Sequence, residues 1–547
     1  MKSFRNTFVV IAFLFAMAWS AFAADQPTIP EAAKAEMKAG RELIGKGDWG
    51  GAVEHYRKAA ELEPRNLEVQ EAFILYHRAG NLRTLKPEES EKRYHALRKH
   101  YEQQAAKEPK NPLWQMLIGD VTFYEDPATS RRAFERAVQL DPKEAHALQY
   151  LGILAETRGE NELARSYFLQ AAEARPDDPQ FAGGYAGNFM DAGDFDAFRT
   201  EAMKIVKKFP ESGEAVKWLY WIGSKAPTPQ EQRRYWQEAI DQYPLEKVSE
   251  DQAGWLSGIY SRMFESLQKD DPIAAEDFAR NTMRKFAGKD DQKRWFTNYQ
   301  RQSELNVACA AREAKQPAAA LEILARLEKS SEKRDSMKST IAYEKALDQA
   351  ASSQSAEAME TLLALLKTDP NPVAETAFYD IASKAGKTAK EADQMLWDAR
   401  LKDAQPFKSF RLKDAAGKTV SLDDYRGQVV LVNFWYPSCG PCRGEFPHLQ
   451  RIVEQFRGKP FTVLALNTHP QEADKVRSFM EGNRYPFRAL QTPTEDWAEK
   501  NYAVIGTPAN FLLDQQGRVI AKPVVYDDET AARLATQIRQ LLEKRGS

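Results

Sequence analysis

The sequence of 547 residues has few of the side chains that build metal sites, since it holds only three cysteines and seven histidines. A structural zinc site needs four Cys or His ligands at short spacings, and the sequence shows no such set. Charge of one sign is also lacking, because 77 Lys and Arg residues face 79 Asp and Glu residues. We therefore expect no metal site and no bulk binding to nucleic acid or to anionic membranes.

Long apolar runs are missing except near the N-terminus, where residues 8–19 follow Lys2 and Arg5. This run is short for a membrane span, and the small-x-small sequence 21–23 comes after it. The pattern predicts a signal peptide over residues 1–23, cleaved after Ala23 or Ala24. The alternative is an uncleaved anchor. We expect an exported protein with no membrane span beyond that segment.

Two of the three cysteines form the motif Cys439-Gly440-Pro441-Cys442, directly after the apolar run 429–435. This placement predicts a dithiol where a buried strand turns into a helix, as in thiol-disulfide exchange sites. The helix N-terminus would set free N–H groups and a positive dipole end beside Cys439 and stabilise its thiolate. Cys439 is therefore the expected nucleophile. The dithiol is itself the redox centre, so no further cofactor is expected.

Downstream of the motif, apolar spacing predicts an alternation of helices and strands. Leu449, Ile452, Val453 and Phe456 recur at helical intervals. The other elements predicted are a strand at 461–466, a helix at 472–481, strands at 510–513 and 519–521, and a final helix at 529–544.

Several short motifs accompany the dithiol, namely 410–414 with 417–422, 425–427, 432–435, 445–447 and 506–508. Together they make the segment from about residue 403 onward similar to the TlpA/ResA-like branch of exported bacterial thioredoxins. The resemblance implies an α/β thioredoxin fold over residues 403–547 and a periplasmic location. It also implies that a protein disulfide is the substrate and that an upstream thiol reductant recharges the dithiol.

The resemblance assigns substrate contacts around the dithiol. Thr507 and Pro508 match the cis-proline loop of the family, which pairs with the substrate backbone. Trp435, Gly440 and Pro441 are expected on the same substrate-binding surface. A cis bond is rare before proline in general, so this expectation depends on the resemblance alone.

A third catalytic residue is expected at Glu445, three residues after Cys442 and so on the same side of the helix. It matches the family's glutamate near the dithiol and could take the proton of Cys442. The alternative is a carboxylate that only offsets the helix dipole. Asn433 stands where cytosolic thioredoxins carry a buried aspartate, so the usual proton acceptor is replaced.

Before the dithiol domain, prolines recur at intervals of 34 residues, the period of tetratricopeptide repeats. These prolines are Pro142, Pro176, Pro210 and Pro244. The sequence resembles such repeats most clearly over 33–244 and in degenerate form over 245–400. We expect an all-α solenoid over residues 24–400 that binds a protein partner. The aromatic residues 218–236 are interpreted as packing between helices, although a role in binding is the alternative.

Taken together, the patterns predict a multidomain protein with a tetratricopeptide-like solenoid followed by a thioredoxin fold. The predicted function is an exported thiol-disulfide oxidoreductase, favoured as a reductase because Gly440 and Pro441 resemble the reducing thioredoxins. A binding scaffold whose thioredoxin domain is only a fold is the alternative. A peroxidase is disfavoured, since Tyr436 stands where peroxiredoxins need Thr or Ser. Cys309 is interpreted as a buried, inert thiol and His448 as a solvated helix residue, with a third redox thiol or an intermolecular bridge as the alternative for Cys309.

Overall fold

A computed structural model describes residues 29–124, 126–245, 247–285, 289–330, 337–368, 371–402, 404–525 and 527–543. The signal segment predicted over residues 1–23 lies outside these described residues. Across the described ranges, no helix is both long and apolar enough to cross a membrane.

The described residues up to position 402 form helices only. They are α1 (Glu31–Gly45), α2 (Trp49–Leu62), α3 (Leu67–Thr84), α4 (Pro87–Lys107), α5 (Pro112–Thr122), α6 (Pro127–Leu140), α7 (Ala145–Glu156), α8 (Asn161–Ala174), α9 (Pro179–Asp191), α10 (Phe195–Lys208), α11 (Gly213–Lys225), α12 (Pro229–Gln242), α13 (Glu250–Asp270), α14 (Pro272–Lys285), α15 (Lys289–Glu313), α16 (Pro317–Lys329), α17 (Lys338–Ala351), α18 (Ser355–Thr368), α19 (Pro372–Lys384) and α20 (Ala389–Leu401).

The helices are arranged in consecutive pairs, one pair to each repeat. In several repeats a glycine of the first helix faces an aromatic ring of the second helix, so the two helices pack closely. A Cβ atom on Gly152 of α7 would lie 2.6 Å from the ring of Phe168 in α8, so only glycine fits there. The same arrangement recurs in three other pairs: Gly40 with Tyr56, Gly119 with Phe134, and Gly223 with Trp236. The repeat therefore depends on one close contact between a small and a large residue in each of these units.

The turns between repeats explain why prolines recur at intervals of 34 residues. Each proline lies two residues after the last residue of a second helix, namely α6, α8, α10 and α12. Proline cannot continue a helix, because it lacks the N–H group and its ring clashes with the preceding turn. The aromatic residues Trp218 and Trp236 are buried between helices, which confirms their interpretation as packing residues.

From residue 404 the chain forms a mixed seven-stranded sheet with helices on both faces. Its elements are β1 (Arg411–Asp414), β2 (Thr419–Ser421), a 3-10 turn (Leu422–Tyr425), β3 (Val429–Trp435), α21 (Gly440–Gln455), β4 (Phe461–Asn467), a 3-10 turn (Pro470–Glu472), α22 (Ala473–Gly482), β5 (Arg488–Gln491), α23 (Trp497–Tyr502), β6 (Ala509–Leu513), β7 (Val519–Ala521) and α24 (Asp528–Glu543). The strand order is β2-β1-β5-β4-β3-β6-β7.

The sheet is built around β3, which is buried along its whole length. It pairs in parallel with β4 and antiparallel with β6. Val429 and Leu431 point to the face covered by α21, α22 and α24, while Val430 and Val432 point to the opposite face. A strand buried on both faces reads as a continuous apolar run, and this is why it could be predicted from sequence.

The predicted fold class is confirmed, with an all-α region followed by an α/β domain. The strands and helices predicted after the dithiol are present, and their ends differ from the prediction by only a residue or so. The short elements β1, β2, β5 and α23 were not predicted, because their sequences show no clear apolar periodicity.

In the described part of the chain, the helical region and the α/β domain pack against each other at two places. At one, Trp397 of α20 joins the hydrophobic core of the α/β domain, and Arg400 donates a hydrogen bond of 2.7 Å to Gln540 of α24. At the other, the ends of α7 and α9 contact α21. The second contact lies beside the dithiol.

Candidate redox centre

Cys439 is the N-cap residue of α21, and its sulfur accepts a hydrogen bond of 3.2 Å from the backbone N–H of Cys442. The two residues form a disulfide, with Cα atoms 5.3 Å apart. The sulfur therefore lies at the end of the helix where unpaired N–H groups and the positive dipole end favour a negative charge. This is the environment that the sequence predicts for a nucleophilic thiolate.

The loop before the dithiol is held by the buried carboxylate of Glu472. Ser438 donates its backbone N–H to one carboxylate oxygen over 3.0 Å and its hydroxyl to the other over 2.5 Å. The ring of Tyr436 packs against that of His469, with ring centroids 3.7 Å apart and the planes tilted by 30°. These contacts fix the turn between β3 and α21. Neither Glu472 nor Ser438 is among the site residues predicted from sequence.

The two residues between the cysteines form the accessible tip of the centre. Gly440 and Pro441 are exposed, whereas Cys439 is 3% exposed and Cys442 is fully buried. A partner that reaches the dithiol must therefore contact Gly440 and Pro441. Of the two sulfurs, that of Cys439 is the less buried, in keeping with its predicted role as the attacking group.

The loop 506–508 lies against the dithiol. The Thr507–Pro508 peptide bond is cis, as the resemblance implies. The hydroxyl of Thr507 lies 3.6 Å from the sulfur of Cys439, in hydrogen-bond contact for a sulfur acceptor. Thr507 and Pro508 thus share one surface with Gly440 and Pro441, where the sequence places the substrate.

Trp435 requires a correction, because its ring is fully buried. It packs between Phe446 and Phe479, with ring centroids 4.8 Å and 5.2 Å away. A side chain in the core has no surface on which a substrate could lie, so the expected substrate contact at Trp435 is wrong. Trp435 instead supports the strand that leads into the dithiol loop.

Glu445 is a buried carboxyl group on α21, the redox helix that begins at the dithiol. It is 1% exposed and accepts hydrogen bonds from the side-chain amides of Asn433 and Asn510. Burial raises the pKa of Glu445 to about 8, although the bonds from Asn510 and Asn433 oppose this rise. Its pKa thus lies in the range in which a thiol exchanges its proton.

The position of Glu445 argues against its alternative interpretation as a helix-dipole charge. It is the sixth residue of α21, beyond the first turn, where the dipole effect has largely fallen off. Asn510 was not predicted as a site residue. The only sequence signal for it is its place two residues after Pro508, at the start of the strand that pairs with β3.

Two further interpretations from sequence can be compared with the structure. His448 is buried rather than solvated, and burial lowers its pKa to about 4, so that interpretation is wrong. Cys309 is half-buried, and burial raises the pKa of its thiol to about 11, as expected for an inert thiol. Among the described residues, no three His, Cys, Asp or Glu side chains are grouped so as to hold a metal ion.

Comparison with known proteins matches the two regions separately. Residues 404–522 match the AhpC/TSA family, and residues 125–179 match the tetratricopeptide repeat. The thioredoxin-like protein YneN of Bacillus subtilis is 31% identical over 145 residues, which cover 26% of this chain and 80% of YneN. The thiol-disulfide oxidoreductase ResA of Bacillus thuringiensis subsp. konkukian is 28% identical over 134 residues, which cover 24% of this chain and 75% of ResA.

A solved structure is also similar over the C-terminal region. The thioredoxin domain of a thiol-disulfide oxidoreductase from Bacteroides vulgatus has 25% sequence identity, and the match covers 25% of this chain and 96% of that domain with a TM-score of 0.23.

Proposed function

Through its C-terminal domain this chain belongs to the thioredoxin-like family, and from this premise we propose that it is a thiol-disulfide oxidoreductase that reduces protein disulfides. The observation that best supports this proposal is the position of Cys439. It is the N-cap of α21 and lies beside Thr507 and under the exposed tip Gly440-Pro441. A sulfur in this position meets the two requirements of the chemistry, a stabilised thiolate and a surface for a partner.

The reaction begins when the Cys439 thiolate attacks one sulfur of a client disulfide. A mixed disulfide forms, and the client's other sulfur leaves as a thiolate. Cys442 then loses its proton and attacks the sulfur of Cys439, which releases the second client thiolate. Two electrons pass to the client, whose disulfide becomes two thiols, while this chain is left with the Cys439–Cys442 disulfide seen here. A thiol reductant must then restore the dithiol.

Glu445 is the proposed acceptor of the Cys442 proton in the second step. It lies one helical turn after Cys442, and its raised pKa allows it to take and return a proton near neutral pH. Asn433 and Asn510 hold both carboxyl oxygens, so that the group is fixed while it changes protonation state.

The reducing direction is favoured by the residues between the cysteines. Gly440-Pro441 is the dipeptide of the reducing thioredoxins, whose potentials are about −270 mV, rather than of strong oxidants at about −120 mV. The predicted signal segment at 1–23 supports export to the periplasm.

The repeats are proposed to recruit a protein partner to the dithiol. Helical repeats of this kind form extended surfaces for peptides and proteins. Here α7 and α9 contact α21 directly, so a client held on the solenoid would lie near the exposed tip of the redox centre. The partner is a client with a disulfide, or the reductant that recharges the centre.

A peroxidase activity is not proposed, although the C-terminal region matches the AhpC/TSA family. Tyr436 stands three residues before Cys439, in the place of the Thr or Ser that peroxiredoxins need. Its ring packs against His469, and burial raises the pKa of its hydroxyl to about 12.

The proposal is tested by trapping clients with Cys442→Ser. This variant should stop at the mixed disulfide on Cys439, and the captured proteins can be identified by mass spectrometry after non-reducing gels. The matched control is Cys439→Ser/Cys442→Ser, which keeps only Cys309 and should capture none of the same proteins. If both variants capture the same proteins, the capture does not depend on the dithiol, and the proposed reaction at Cys439 is contradicted.

A further inference from the structure

Each repeat is a pair of helices, and in two successive repeats the end of the first helix contacts the redox helix α21, while the end of the first helix of the next repeat lies nearby. Glu156, Asp191 and Lys225 are the last residues of α7, α9 and α11 and are spaced by one repeat. Glu156 and Asp191 form ion pairs with Arg443 of α21, the first of them over 2.5 Å. Lys225 lies within electrostatic reach of Asp191 and Asp528. The repeat period therefore places a row of charges along α21.

This contact between the two domains is closely fitted. Gly159, in the turn after α7, has a φ of 71°, and a Cβ atom there would lie 2.9 Å from the carbonyl oxygen of Phe479. A Cβ atom on Gly193, in the turn after α9, would lie 3.2 Å from Pro447. Arg158 pairs with Asp474 over 3.2 Å on the same side. The turns of two repeats are thus shaped for the α/β domain.

Arg443 is the centre of this interface. Its side chain is 11% exposed, and both of its carboxylate partners come from the repeat region. Burial raises the pKa of Glu156, while the Arg443 guanidinium opposes that rise, and Asn188 donates a hydrogen bond of 2.7 Å to the same carboxylate. The positive charge of Arg443 is therefore neutralised by carboxylates of the repeat region rather than by groups of its own α/β domain.

The position of Arg443 on the helix gives this compensation a chemical consequence. Its backbone N–H donates to the carbonyl oxygen of Cys439 over 3.1 Å, so Arg443 lies one helical turn from the nucleophile. An uncompensated cation near a cysteine stabilises the thiolate. A stabilised thiolate favours the reduced protein and makes a dithiol couple more oxidising. The pairing of Arg443 with two carboxylates neutralises its charge and so removes most of this stabilisation of the thiolate.

We propose that Glu156 and Asp191 are positioning residues of the redox centre, which hold and neutralise Arg443 and thereby keep the Cys439–Cys442 couple reducing. This inference rests on the reductase function proposed above and deepens it. The repeat region then has a second role beside partner recruitment, because it sets the potential of the dithiol through a residue next to Cys442.

The test is the redox equilibrium of the full-length chain with glutathione. One oxidised glutathione and the reduced protein give the Cys439–Cys442 disulfide and two reduced glutathiones, and the ratio is read from thiol quantification. Glu156→Gln/Asp191→Asn leaves Arg443 uncompensated and should lower the equilibrium constant for protein oxidation by roughly three- to tenfold. Adding Arg443→Gln to that variant removes the cation and should restore the wild-type constant within about twofold.

Two controls separate this electrostatic effect from loss of domain contact. Arg158→Gln breaks a neighbouring pair between the domains and should leave the constant unchanged. The pH at which alkylation of Cys439 reaches half its maximal rate should fall in the double variant and return in the triple variant. Asp191→Asn alone serves both measurements if the double variant does not fold, with a smaller shift in the same direction.

An unchanged constant in the double variant, or an equal shift in the double and triple variants, would overturn the inference. A wild-type constant typical of a strong oxidant would instead contradict the proposed reducing direction. The two failures are therefore distinguishable in the same data.

Discussion

The side-chain amide of Asn433 donates a hydrogen bond of 3.1 Å to the buried carboxyl group of Glu445. Asn433 lies on β3 and Glu445 on the redox helix, so this bond joins the strand and the helix that frame the dithiol. Thioredoxins with an aspartate in the place of Asn433 carry their buried acid on the strand. In this protein the acid is on the helix, and the strand supplies the amide that holds it.

The first prediction concerns the proton of Cys442. Glu445→Gln should slow resolution of the mixed disulfide by roughly tenfold to hundredfold, because the amide cannot accept the proton. Formation of the mixed disulfide should change little. Stopped-flow kinetics with a disulfide substrate separates the two steps.

Glu454→Gln is the matched control for this measurement, since Glu454 is exposed on the same helix. The wild-type resolution rate should also contain a rise centred near pH 8 that the Glu445→Gln variant lacks, because the carboxylate form of Glu445 appears as pH passes its pKa of about 8. An unchanged resolution rate in Glu445→Gln would leave Glu445 with a structural role only.

The second prediction is a stability change with pH. The pKa of Glu445 is about 8 in the fold against 4.5 for a free carboxyl group, so folding favours the protonated form. Its stabilising contribution is full below about pH 4.5 and is lost as pH rises to about 8. Between pH 5 and pH 9, wild type should therefore lose about 4 kcal/mol of unfolding free energy relative to Glu445→Gln.

Scanning calorimetry of both proteins at a series of pH values measures this difference. Titrations shared by the two proteins cancel in the comparison. A difference that stays constant from pH 5 to pH 9 would show that the carboxyl group of Glu445 keeps an ordinary pKa.

The third prediction concerns the independence of the two regions. A chain starting at residue 404 should fold and keep its redox activity, because its own strands and helices form a complete core. Arg443 becomes solvated in this shorter chain at little cost, while Trp397 is lost from one edge of the core. Client selection should suffer instead.

Circular dichroism and reduction of a small model disulfide test the shorter chain, and trapping compares its clients with those of the full chain. If the shorter chain is unfolded, the repeats are part of its core rather than a separate unit. If it captures the same clients as the full chain, the repeats do not recruit them.

The fourth prediction tests the packing of the repeats. Gly152→Ala should destabilise the helical region by about 1–3 kcal/mol, since the new Cβ atom would lie 2.6 Å from the ring of Phe168. Gly45→Ala is the control, because no atom lies within 4 Å of a Cβ atom built there and alanine favours the helix. Urea unfolding followed by circular dichroism measures both. Equal stability of the two variants would contradict the close glycine–aromatic contact.

Local patterns made much of the fold predictable from sequence. The prolines at 34-residue intervals mark the turns between repeats, and the apolar run 429–435 marks the central strand. The position of Cys439 at the start of a helix followed from the place of the dithiol directly after that apolar run. Short strands such as β5 carry no such pattern, because tertiary pairing rather than local sequence holds them in the sheet.

Long-range relationships were beyond the reach of sequence reasoning. The sequence around Arg443 is that of an ordinary helix. Nothing in it indicates that Glu156 and Asp191 lie against Arg443. Trp435 ends the apolar run 429–435 and was still expected on the substrate surface, since an aromatic residue near a redox motif fits a substrate surface as well as a core. Only the packing of α21 and α22 decides between the two.

Reduction of a protein disulfide by the full-length chain tests the central claim most directly. The pre-reduced protein is mixed with a disulfide-containing protein, and transferred electrons are counted as new client thiols and as lost thiols at Cys439 and Cys442. We predict one client disulfide reduced per dithiol oxidised in wild type, and none in Cys439→Ser. Equal reduction by Cys439→Ser would contradict the assignment of this dithiol as the redox centre.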